Sequence, residues 1–333
     1  MSRGTFVTLS LVFLLTFLVL KRCRDLRIIS SKNNSTFITT KTAVNQQQQC
    51  QSYIVYRSKN RLGNRLFYYA SFLGINRHLH KCACTSHPNQ PPYNYLNIEH
   101  KLPYCPDDPV RNVTIVAEKG TQIYTPGILQ TSIETNITLR GCFQSWHYFW
   151  PYFQEIRDRL ITQVQPQYRN RCETTWQSKV LSRNRNNNSC VFVGVHLRLG
   201  DFLKLRKDGF VPADPDYVQR AVRYFGERFQ SRECIQLVVL GNDHKWNVQT
   251  ISKLQMSPNM RSVVLQPDDD AYIDLCVLAH CNHTIMTTGT FGWWAAALAG
   301  GETTYQKQYF VKNTWFALQT KADDHFLPNW IPL

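Results

Sequence analysis

The stretch VFVGVHLRLGD at residues 191–201 gives the clearest indication of the fold. Residues 191–195 form a short apolar run, which is typical of a strand buried inside a parallel sheet, and glycine and charged residues follow where that strand would end. Downstream, apolar runs alternate with helical patterns. We predict further strands at residues 235–240, 262–265 and 284–288, and helices at residues 215–229, 246–254, 270–280 and 291–299. This alternation predicts an α/β fold with a doubly wound parallel sheet, in which ligands bind at the carboxyl ends of the strands.

The N-terminal part of the chain opens with the same pattern. Residues 52–56 are predicted to form a strand, residues 57–64 a loop that contains a glycine, and residues 65–80 a helix. A later polar stretch ends in RNRNNNS, and we place a domain boundary near that point. The division gives two α/β subdomains, residues 51–185 and residues 186–333.

Composition and charge exclude several classes of protein. The 333 residues are 43% hydrophobic, which excludes a disordered chain. Lys and Arg outnumber Asp and Glu by 38 to 23, and the resulting net charge of +15 predicts an anionic partner, such as nucleic acid, anionic lipid or a phosphate-bearing substrate. The sequence contains no GxSxG, HExxH or GxxxxGKS/T motif and no GxGxxG after a predicted strand, so nothing in it indicates the chemistries that those motifs carry.

The cysteines and glycosylation motifs indicate an oxidising compartment. The chain has eleven cysteines and no CxxC pair, and the ten cysteines that follow Lys32 are an even number, as disulfide pairing would need. Six Asn-x-Ser/Thr motifs are predicted glycosylation sites, and they begin at Asn33, Asn34, Asn112, Asn136, Asn187 and Asn282. A chain in the secretory lumen seldom meets nucleic acid, so we expect no nucleic-acid partner.

The N-terminus is predicted to carry a membrane anchor. Residues 5–20 contain no charged side chain and would span about 24 Å as a helix, against a hydrocarbon core of about 30 Å. No small-residue cleavage site follows this run, which favours an uncleaved anchor over a signal peptide. Basic residues after the run would place that side in the cytosol by the positive-inside rule, whereas the cysteines and glycosylation motifs place it in the lumen. We follow the latter and predict a cytoplasmic tail at residues 1–4, an anchor at residues 5–20 and a lumenal stem at residues 21–50.

The first candidate motif is HLRLGD, which directly follows the predicted strand at residues 191–195. An arginine at a strand end, here Arg198, can direct two N–H donors to a diphosphate. His196 and Asp201 flank it on either side. The alternative is a purely structural His–Arg–Asp cluster at a turn.

The second candidate motif is TTGTFG at residues 287–292, between a predicted strand and a predicted helix. Small residues at a helix N-terminus leave backbone N–H groups free at the positive end of the helix dipole, which suits a phosphate. The residues of this candidate phosphate seat are Thr288, Gly289, Thr290 and Phe291. The alternative is an ordinary turn in which Thr290 caps the helix.

Acidic and amide side chains supply further candidates. Asp274 is the only acid inside an apolar helical pattern, and it could accept the N1–H and N2–H groups of guanine; the alternative is a carboxylate satisfied by neighbouring backbone or by an arginine. Asn242 and Asp243 follow the strand at residues 235–240 and would face the same crevice. The acidic runs at residues 214–216 and 268–270 have the form of DxD metal sites, but each precedes a helical pattern and is predicted to cap it, so we expect no metal.

Five stretches of the chain, in this order, resemble the galactoside α-1,2-fucosyltransferases of glycosyltransferase family 11. They are RLGNRLFYYAS at 61–71, GVHLRLGDF at 194–202, LVVLGNDHKW at 237–246, CNHTIMTTGTFGWWAAALAGGETTY at 281–305 and FLPNW at 326–330. Gly63 and Asn64 belong to the first of these motifs. The second motif reads HxRRGD in the family, and Leu199 stands here in place of its second arginine.

The resemblance implies a GT-B-like fold of two Rossmann-like subdomains and a type II Golgi membrane protein with a lumenal catalytic domain. It implies GDP-β-L-fucose as donor, the 2-hydroxyl of a terminal β-galactoside as acceptor, an α1,2 linkage and no required metal or other cofactor. By the same likeness Arg198 would bind the pyrophosphate, His196 and Asp274 would bind the guanosine, and residues 288–291 would line the phosphate pocket. Asn242 and Asp243 would lie beside the nucleotide sugar.

The expected reaction is a single displacement at the fucosyl carbon that inverts β to α. Arg198 and the helix N-terminus would stabilise the negative charge that develops on GDP, and Asp201 is the candidate base. Two other functions remain open: a fucosyltransferase with a different acceptor or linkage, because the match is weak over residues 85–185, and a catalytically inactive lumenal protein that binds a GDP-sugar or a glycan, because of Leu199. A place in the aromatic core is the commoner interpretation of the tryptophans, but some could stack on a sugar, such as Trp146, Trp293 and Trp294.

Overall fold

Two parallel sheets organise the computed structural model, which describes residues 52–57, 61–85, 89, 91–97, 101–105, 113–183 and 190–333. The first sheet has the strand order β2-β1-β4-β3 and the second has the order β10-β9-β8-β5-β6-β7. The strands of the first sheet are β1 (Tyr53–Tyr56), β2 (Cys82–Thr85), β3 (Thr114–Ala117) and β4 (Ile137–Arg140). The strands of the second sheet are β5 (Cys190–Leu197), β6 (Cys234–Gly241), β7 (Met260–Val264), β8 (His283–Met286), β9 (Thr303–Tyr305) and β10 (Ile331–Pro332). Adjacent strands within each sheet pair in parallel.

Helices connect the strands. The α-helices of the described residues are α1 (Leu62–Leu79), α2 (Phe153–Ile161), α3 (Pro166–Thr175), α4 (Gly200–Lys204), α5 (Pro215–Arg228), α6 (His244–Ile251), α7 (Ala271–Ala279), α8 (Thr290–Ala299), α9 (Trp315–Leu318) and α10 (Ala322–His325). A π-helical turn continues α3, and short 3-10 turns lie at Pro126–Gln130, Trp146–Tyr148, Trp150–Tyr152, Leu181–Arg183 and Arg206–Asp208.

The predicted α/β fold with parallel sheets is confirmed, and each predicted strand and helix of the second half is present within a few residues. The prediction of a loop over residues 57–64 is wrong at its end, because α1 begins at Leu62 and carries Gly63 and Asn64 in its first turn. The short helix α4, directly after β5, has no counterpart among the predicted elements. The described residues belong to one compact unit, so the division at 185/186 stays a prediction.

Each sheet has a switch point where the winding of the chain reverses. In the second sheet the chain runs outward from β5 through β6 to β7, and then returns to the other side of β5 to form β8. In the first sheet β1 separates β2 from β4 in the same manner. Open α/β sheets bind ligands at the carboxyl ends of the strands that flank such a point. The topology therefore marks the segments that follow β1, β4, β5 and β8.

Aromatic packing joins the helix of the first half to the last long helix of the second. The ring of Phe67 in α1 lies 4.5 Å from the ring of Trp293 in α8, and both side chains are fully buried. Such a pair contributes about 0.5–1.5 kcal/mol beyond the burial of its area. Trp293 also donates its indole N–H to the carbonyl of His325 at 2.7 Å. Trp293 and Trp294 thus belong to the core, which confirms the commoner interpretation and excludes sugar stacking by these two side chains.

Disulfides join described cysteines, as an oxidising compartment predicts. The bonds are Cys84–Cys105, Cys172–Cys276 and Cys190–Cys234. Cys172–Cys276 ties α3 to α7, and Cys190–Cys234 ties the beginning of β5 to that of β6.

Several sequence predictions fall outside the described residues. These are the tail at 1–4, the anchor at 5–20, the stem at 21–50 and the glycosylation sites Asn33, Asn34, Asn112 and Asn187. In the part of the chain that is described, no helix is long and apolar enough to cross a membrane. The Oδ1 atoms of Asn136 and Asn282 accept the backbone N–H groups of Tyr53 and Phe192, at 2.9 and 2.8 Å, and their glycosylation stays a prediction.

Candidate active site

A cavity of about 370 Å³ is lined by the segments that the two switch points mark. After β1 and β4 the lining residues are Arg61, Gly63, Asn64, Cys142 and Gln144. After β5 and β8 they are His196, Arg198, Asp201, Phe202 and Thr288 to Phe291. The C-terminal segment adds Tyr309, Trp315, Phe316, His325 and Phe326. The volume is that of a small-molecule pocket, and most of the predicted site residues lie in it.

Arg198 is held by a carboxylate and an aromatic ring. Its Nη2 donates to Oδ2 of Asp201 at 2.8 Å, and its guanidinium lies 5.2 Å from the ring centre of Phe202. The same Oδ2 accepts a second bond, at 2.9 Å, from Nη1 of Arg61. Burial lowers the pKa of Arg198, while Asp201 opposes that effect, so the guanidinium stays charged. Two cations share one carboxylate, which leaves positive charge available to an anionic ligand.

Thr287 closes the crevice between β5 and β8. Its Oγ1 donates to the carbonyl of His196 at 3.2 Å and accepts the backbone N–H of Arg198 at 3.0 Å. The next turn passes through Gly289, whose φ of 92° lies in the left-handed region that favours glycine. The two hydrogen bonds of Thr287 and the turn at Gly289 therefore place Arg198 beside the beginning of α8.

The first turn of α8 has the character expected of a phosphate seat. Gly289 is the N-cap and Thr290 is the first helical residue, so the alternative in which Thr290 caps the helix is wrong. Within the described residues no side chain caps this helix, and its first turn holds no acid. The Oγ1 of Thr290 instead donates to Oδ1 of Asn64 at 2.6 Å. The unpaired N–H groups of this first turn form the positive end of the helix dipole, where an anion is stabilised.

Gly63 brings the first turn of α1 against the first turn of α8. A Cβ at Gly63 would lie 2.6 Å from the backbone nitrogen of Phe291 and 2.7 Å from Oγ1 of Thr290. Any side chain there would separate the two helices. The glycine and asparagine of the first motif therefore bring a second helix N-terminus to the cavity.

His196 is a buried, neutral imidazole. Burial and then the charge of Arg198 lower its pKa to about 3. Its Nδ1 has no hydrogen-bond partner in the part of the chain that is described, and its ring lies 5.2 Å from that of Phe291. At neutral pH this side chain can form a hydrogen bond with a ligand, but it carries no charge.

Three predicted nucleotide-binding residues do not line the cavity. Asn242 accepts the backbone N–H of Leu199 through Oδ1 at 2.9 Å, and Asp243 caps α6 by accepting the N–H of Trp246 at 3.0 Å. Asp274 accepts the N–H of Asp268 at 3.0 Å, and burial raises its pKa to about 6. Asp274 lies in α7, outside the lining of this cavity, and its contact with guanosine stays a prediction. One oxygen of its carboxylate has a backbone partner, as in the alternative interpretation of this residue.

The capping interpretation of the two acidic runs is confirmed. Asp214 accepts the backbone N–H groups of Asp216 and Tyr217 at the beginning of α5, and Asp270 accepts that of Tyr272 at the beginning of α7. Leu199, which replaces the arginine of the family motif, is almost fully buried.

An amide and imidazole network on another wall was missed by the sequence analysis. Gln144 donates to Asn64 at 3.3 Å and accepts from Gln122 at 3.2 Å. Gln122 also donates to Nε2 of His325 at 3.3 Å, and Nδ1 of His325 donates to the carbonyl of Gln144 at 2.8 Å in the tautomer that satisfies both bonds. Burial lowers the pKa of His325 to about 4. The adjacent FLPNW motif was the one signal that could have pointed to His325.

Glu118 fixes the segment that follows β4. Both carboxyl oxygens accept backbone N–H groups, those of Cys142 and Phe143. Burial raises the pKa of Glu118 to about 8. The cavity wall from Cys142 to Gln144 therefore rests on a buried carboxyl group.

Comparison with known proteins supports a common origin for this site. The model of the family described as Glycosyl transferase family 11 matches residues 128–333, more than half of the chain. Galactoside alpha-(1,2)-fucosyltransferase 1 of Sus scrofa is 31% identical over 189 residues, which are 55% of this chain and 49% of that protein. The Homo sapiens protein of the same name gives the same identity and coverage. The chain thus spans about half the length of these curated relatives.

A solved structure shows a similar fold. Arabidopsis thaliana FUT1, as a mutant in complex with GDP, superposes with a TM-score of 0.54 at 12% identity, over 84% of this chain and 74% of that one. The match of the family model over residues 128–333, which include four of the five ordered motifs, shows that the chain belongs to glycosyl transferase family 11.

Proposed function

We propose that the chain is a fucosyltransferase that moves L-fucose from GDP-β-L-fucose to the 2-hydroxyl of a terminal β-galactoside. The observation that carries the proposal is the position of Arg198, at the carboxyl end of β5 and beside the uncapped end of α8. An arginine and a helix N-terminus at one point suit a nucleoside diphosphate. Membership of family 11 and the names of the two relatives support the galactoside acceptor and the α1,2 linkage.

In this proposal, donor binding rearranges the charges of the site. In the structure Arg198 and Arg61 share the carboxylate of Asp201. A diphosphate would replace that carboxylate as their partner. The N–H groups at the beginning of α8 would bind the same diphosphate. The neutral His196, whose Nδ1 has no partner within the described residues, would hydrogen-bond the nucleoside.

The chemical step is a displacement in which the acceptor oxygen bonds to the fucosyl carbon as the bond to the diphosphate oxygen breaks. Negative charge grows on GDP, and Arg198 together with α8 stabilises it. The proton of the acceptor hydroxyl has to leave, and Asp201 is the one carboxylate among the described lining residues. Its release from the two arginines on donor binding would free it to accept that proton. Because cations of the chain meet the diphosphate, we propose that the reaction needs no metal or other cofactor.

We also propose that the protein resides in the Golgi membrane with its catalytic region in the lumen. Three disulfides among the described residues and six glycosylation motifs support an oxidising compartment. A shift to higher mobility after glycosidase treatment, with co-localisation to Golgi membranes, is the expected result. An unglycosylated cytosolic protein would contradict this proposal.

The test of function uses the purified 333-residue chain with GDP-fucose and an aryl β-galactoside, with and without EDTA. Fucosylated product of the expected mass in both samples, and an α1,2 linkage by NMR, is the expected result. Product with another acceptor only would replace the galactoside with that acceptor. GDP binding without any turnover would favour the inactive binding protein, and a folded sample that does not bind GDP would refute the assignment of the site.

A further inference from the structure

We propose that Trp315 is the surface on which the acceptor sugar stacks, an inference that rests on the proposed transferase function. Trp315 lines the cavity and its side chain is 55% exposed, more than that of any other tryptophan of the chain. Exposing an indole to water is unfavourable, so a ring of this size at a cavity mouth is a candidate ligand contact.

A row of aromatic rings runs from the arginine of the diphosphate site to Phe316, which follows Trp315 in the sequence. The guanidinium of Arg198 lies 5.2 Å from the ring centre of Phe202, and that ring lies 5.0 Å from Phe210. Phe210 stacks on Phe316 with 4.2 Å between ring centres. Trp315 precedes Phe316 in α9 and lines the same cavity as the rings of this row.

Local contacts hold α9 in place. Thr314 caps the helix by accepting the backbone N–H of Ala317 at 3.4 Å. Gly209, with φ of 105°, leaves room for the Thr314 side chain, since a Cβ there would lie 2.0 Å from its Oγ1. The side chain of Phe316, in the same helix, is buried. Trp315 is therefore exposed on a helix that its neighbours hold in place.

The cavity presents two kinds of surface that match a pyranoside. The aromatic row offers apolar faces, and the amide groups of Asn64 and Gln144 lie on another part of the lining. A galactoside has a face of C–H groups and a periphery of hydroxyls, so it can stack on an indole while its hydroxyls exchange hydrogen bonds with amides. Guanine would need an edge-reading carboxylate, and the one carboxylate in the described lining, Asp201, is the proposed base for the acceptor hydroxyl. The sugar acceptor is the better fit for Trp315.

The test compares Trp315→Ala and Trp315→Phe with the control Leu318→Ala. Leu318 lies in the same short helix and is 74% exposed, but it does not line the cavity. The acceptor KM is measured at saturating GDP-fucose, and the GDP dissociation constant is measured by calorimetry. We expect Trp315→Ala to raise the acceptor KM about tenfold and to change GDP affinity by less than about twofold, while Trp315→Phe recovers most of the loss and Leu318→Ala resembles the parent protein.

An unchanged acceptor KM in Trp315→Ala would overturn the proposal, and so would a loss of GDP affinity, which would assign the ring to the base. Equal thermal unfolding of all variants excludes a folding defect as the cause. Saturation-transfer NMR with the aryl β-galactoside in the presence of GDP keeps the inference testable if the parent protein forms no product. Galactoside binding that Trp315→Ala abolishes would then support the stacking surface although the transferase proposal had failed, whereas no binding by the parent would overturn it.

Discussion

Replacing Gly63 with alanine probes the contact on which the phosphate seat depends. The new Cβ would lie 2.6 Å from the backbone nitrogen of Phe291, whereas contacts under 3.0 Å essentially do not occur and ordinary contacts begin at 3.4 Å. The first turn of α8 would therefore have to move by about 0.4–0.8 Å, the difference between these distances. The nearest atoms are mostly backbone, which cannot rotate away as a flexible side chain could.

Both stability and activity are expected to fall. Overpacking of a close contact costs about 1–3 kcal/mol, and alanine in a helix returns up to about 1 kcal/mol relative to glycine. We expect a net loss of about 1–2 kcal/mol in the free energy of unfolding. A displacement approaching 1 Å near the reacting atoms can lower the rate about 100-fold. Because Phe291 carries one of the N–H donors of the seat, we expect Gly63→Ala to lower kcat/KM by about 10- to 100-fold and to weaken GDP binding.

The assay is initial-rate kinetics with GDP-fucose and a β-galactoside, at a temperature where urea titration shows each variant fully folded. Gly127→Ala is the matched control, because a Cβ at Gly127 would meet no atom within 4 Å. If a folded Gly63→Ala keeps the parental kcat/KM and GDP affinity, the contact of α1 with α8 does not form the seat and the reasoning is refuted.

Three further outcomes follow from the described contacts. Arg198→Ala removes charge-assisted bonds worth about 1.5–3 kcal/mol each, so transfer should be abolished and calorimetry should show at least about tenfold weaker GDP binding; normal turnover would reject the diphosphate role. Burial raises the pKa of Glu118 to about 8 from its usual 4.5, so the folded protein retains a proton that the unfolded chain releases between these values. The free energy of unfolding should therefore fall as pH rises from 4.5 to 8, and Glu118→Gln should flatten that slope in urea titrations at several pH values; an identical slope in the variant would contradict the shift. Replacing Cys172 and Cys276 together by serine removes a crosslink across 104 residues and should lower stability by about 2–5 kcal/mol, measured by urea unfolding; an equally stable double variant would show that the bond contributes nothing.

Local sequence patterns were sufficient for the fold because its signals are local. The apolar run before His196 forms β5, and aspartates such as Asp214 and Asp270 cap helices where the sequence places them. The doubly wound topology then brings the ends of β5 and β8 together, so Arg198 and Thr290 could be assigned to one site before the structure was known.

Contacts between distant segments could not be predicted in this way. Arg61 meets Asp201 across 140 residues, and Gln122 meets His325 across 203. Both contacts join segments that are far apart in the sequence and lie outside the strands, and the sequence carries no periodic signal for such contacts. Asp274 illustrates the same limit, since one of its carboxylate oxygens accepts the backbone N–H of Asp268 and its contact with guanosine stays a prediction.

The contact between the first turns of α1 and α8 has a thermodynamic consequence for the isolated protein. Neither turn contains an acid, so two positive helix ends and two guanidiniums face a single carboxylate while no nucleotide is bound. In the proposed function a diphosphate would supply the missing counter-charge, and folding and nucleotide binding would then be linked by mass action. A ligand at 100 times its dissociation constant raises the free energy of unfolding by about 2.7 kcal/mol. The melting temperature of this protein should accordingly follow the GDP concentration around it, and a preparation that retains nucleotide should melt higher than one from which it has been dialysed away.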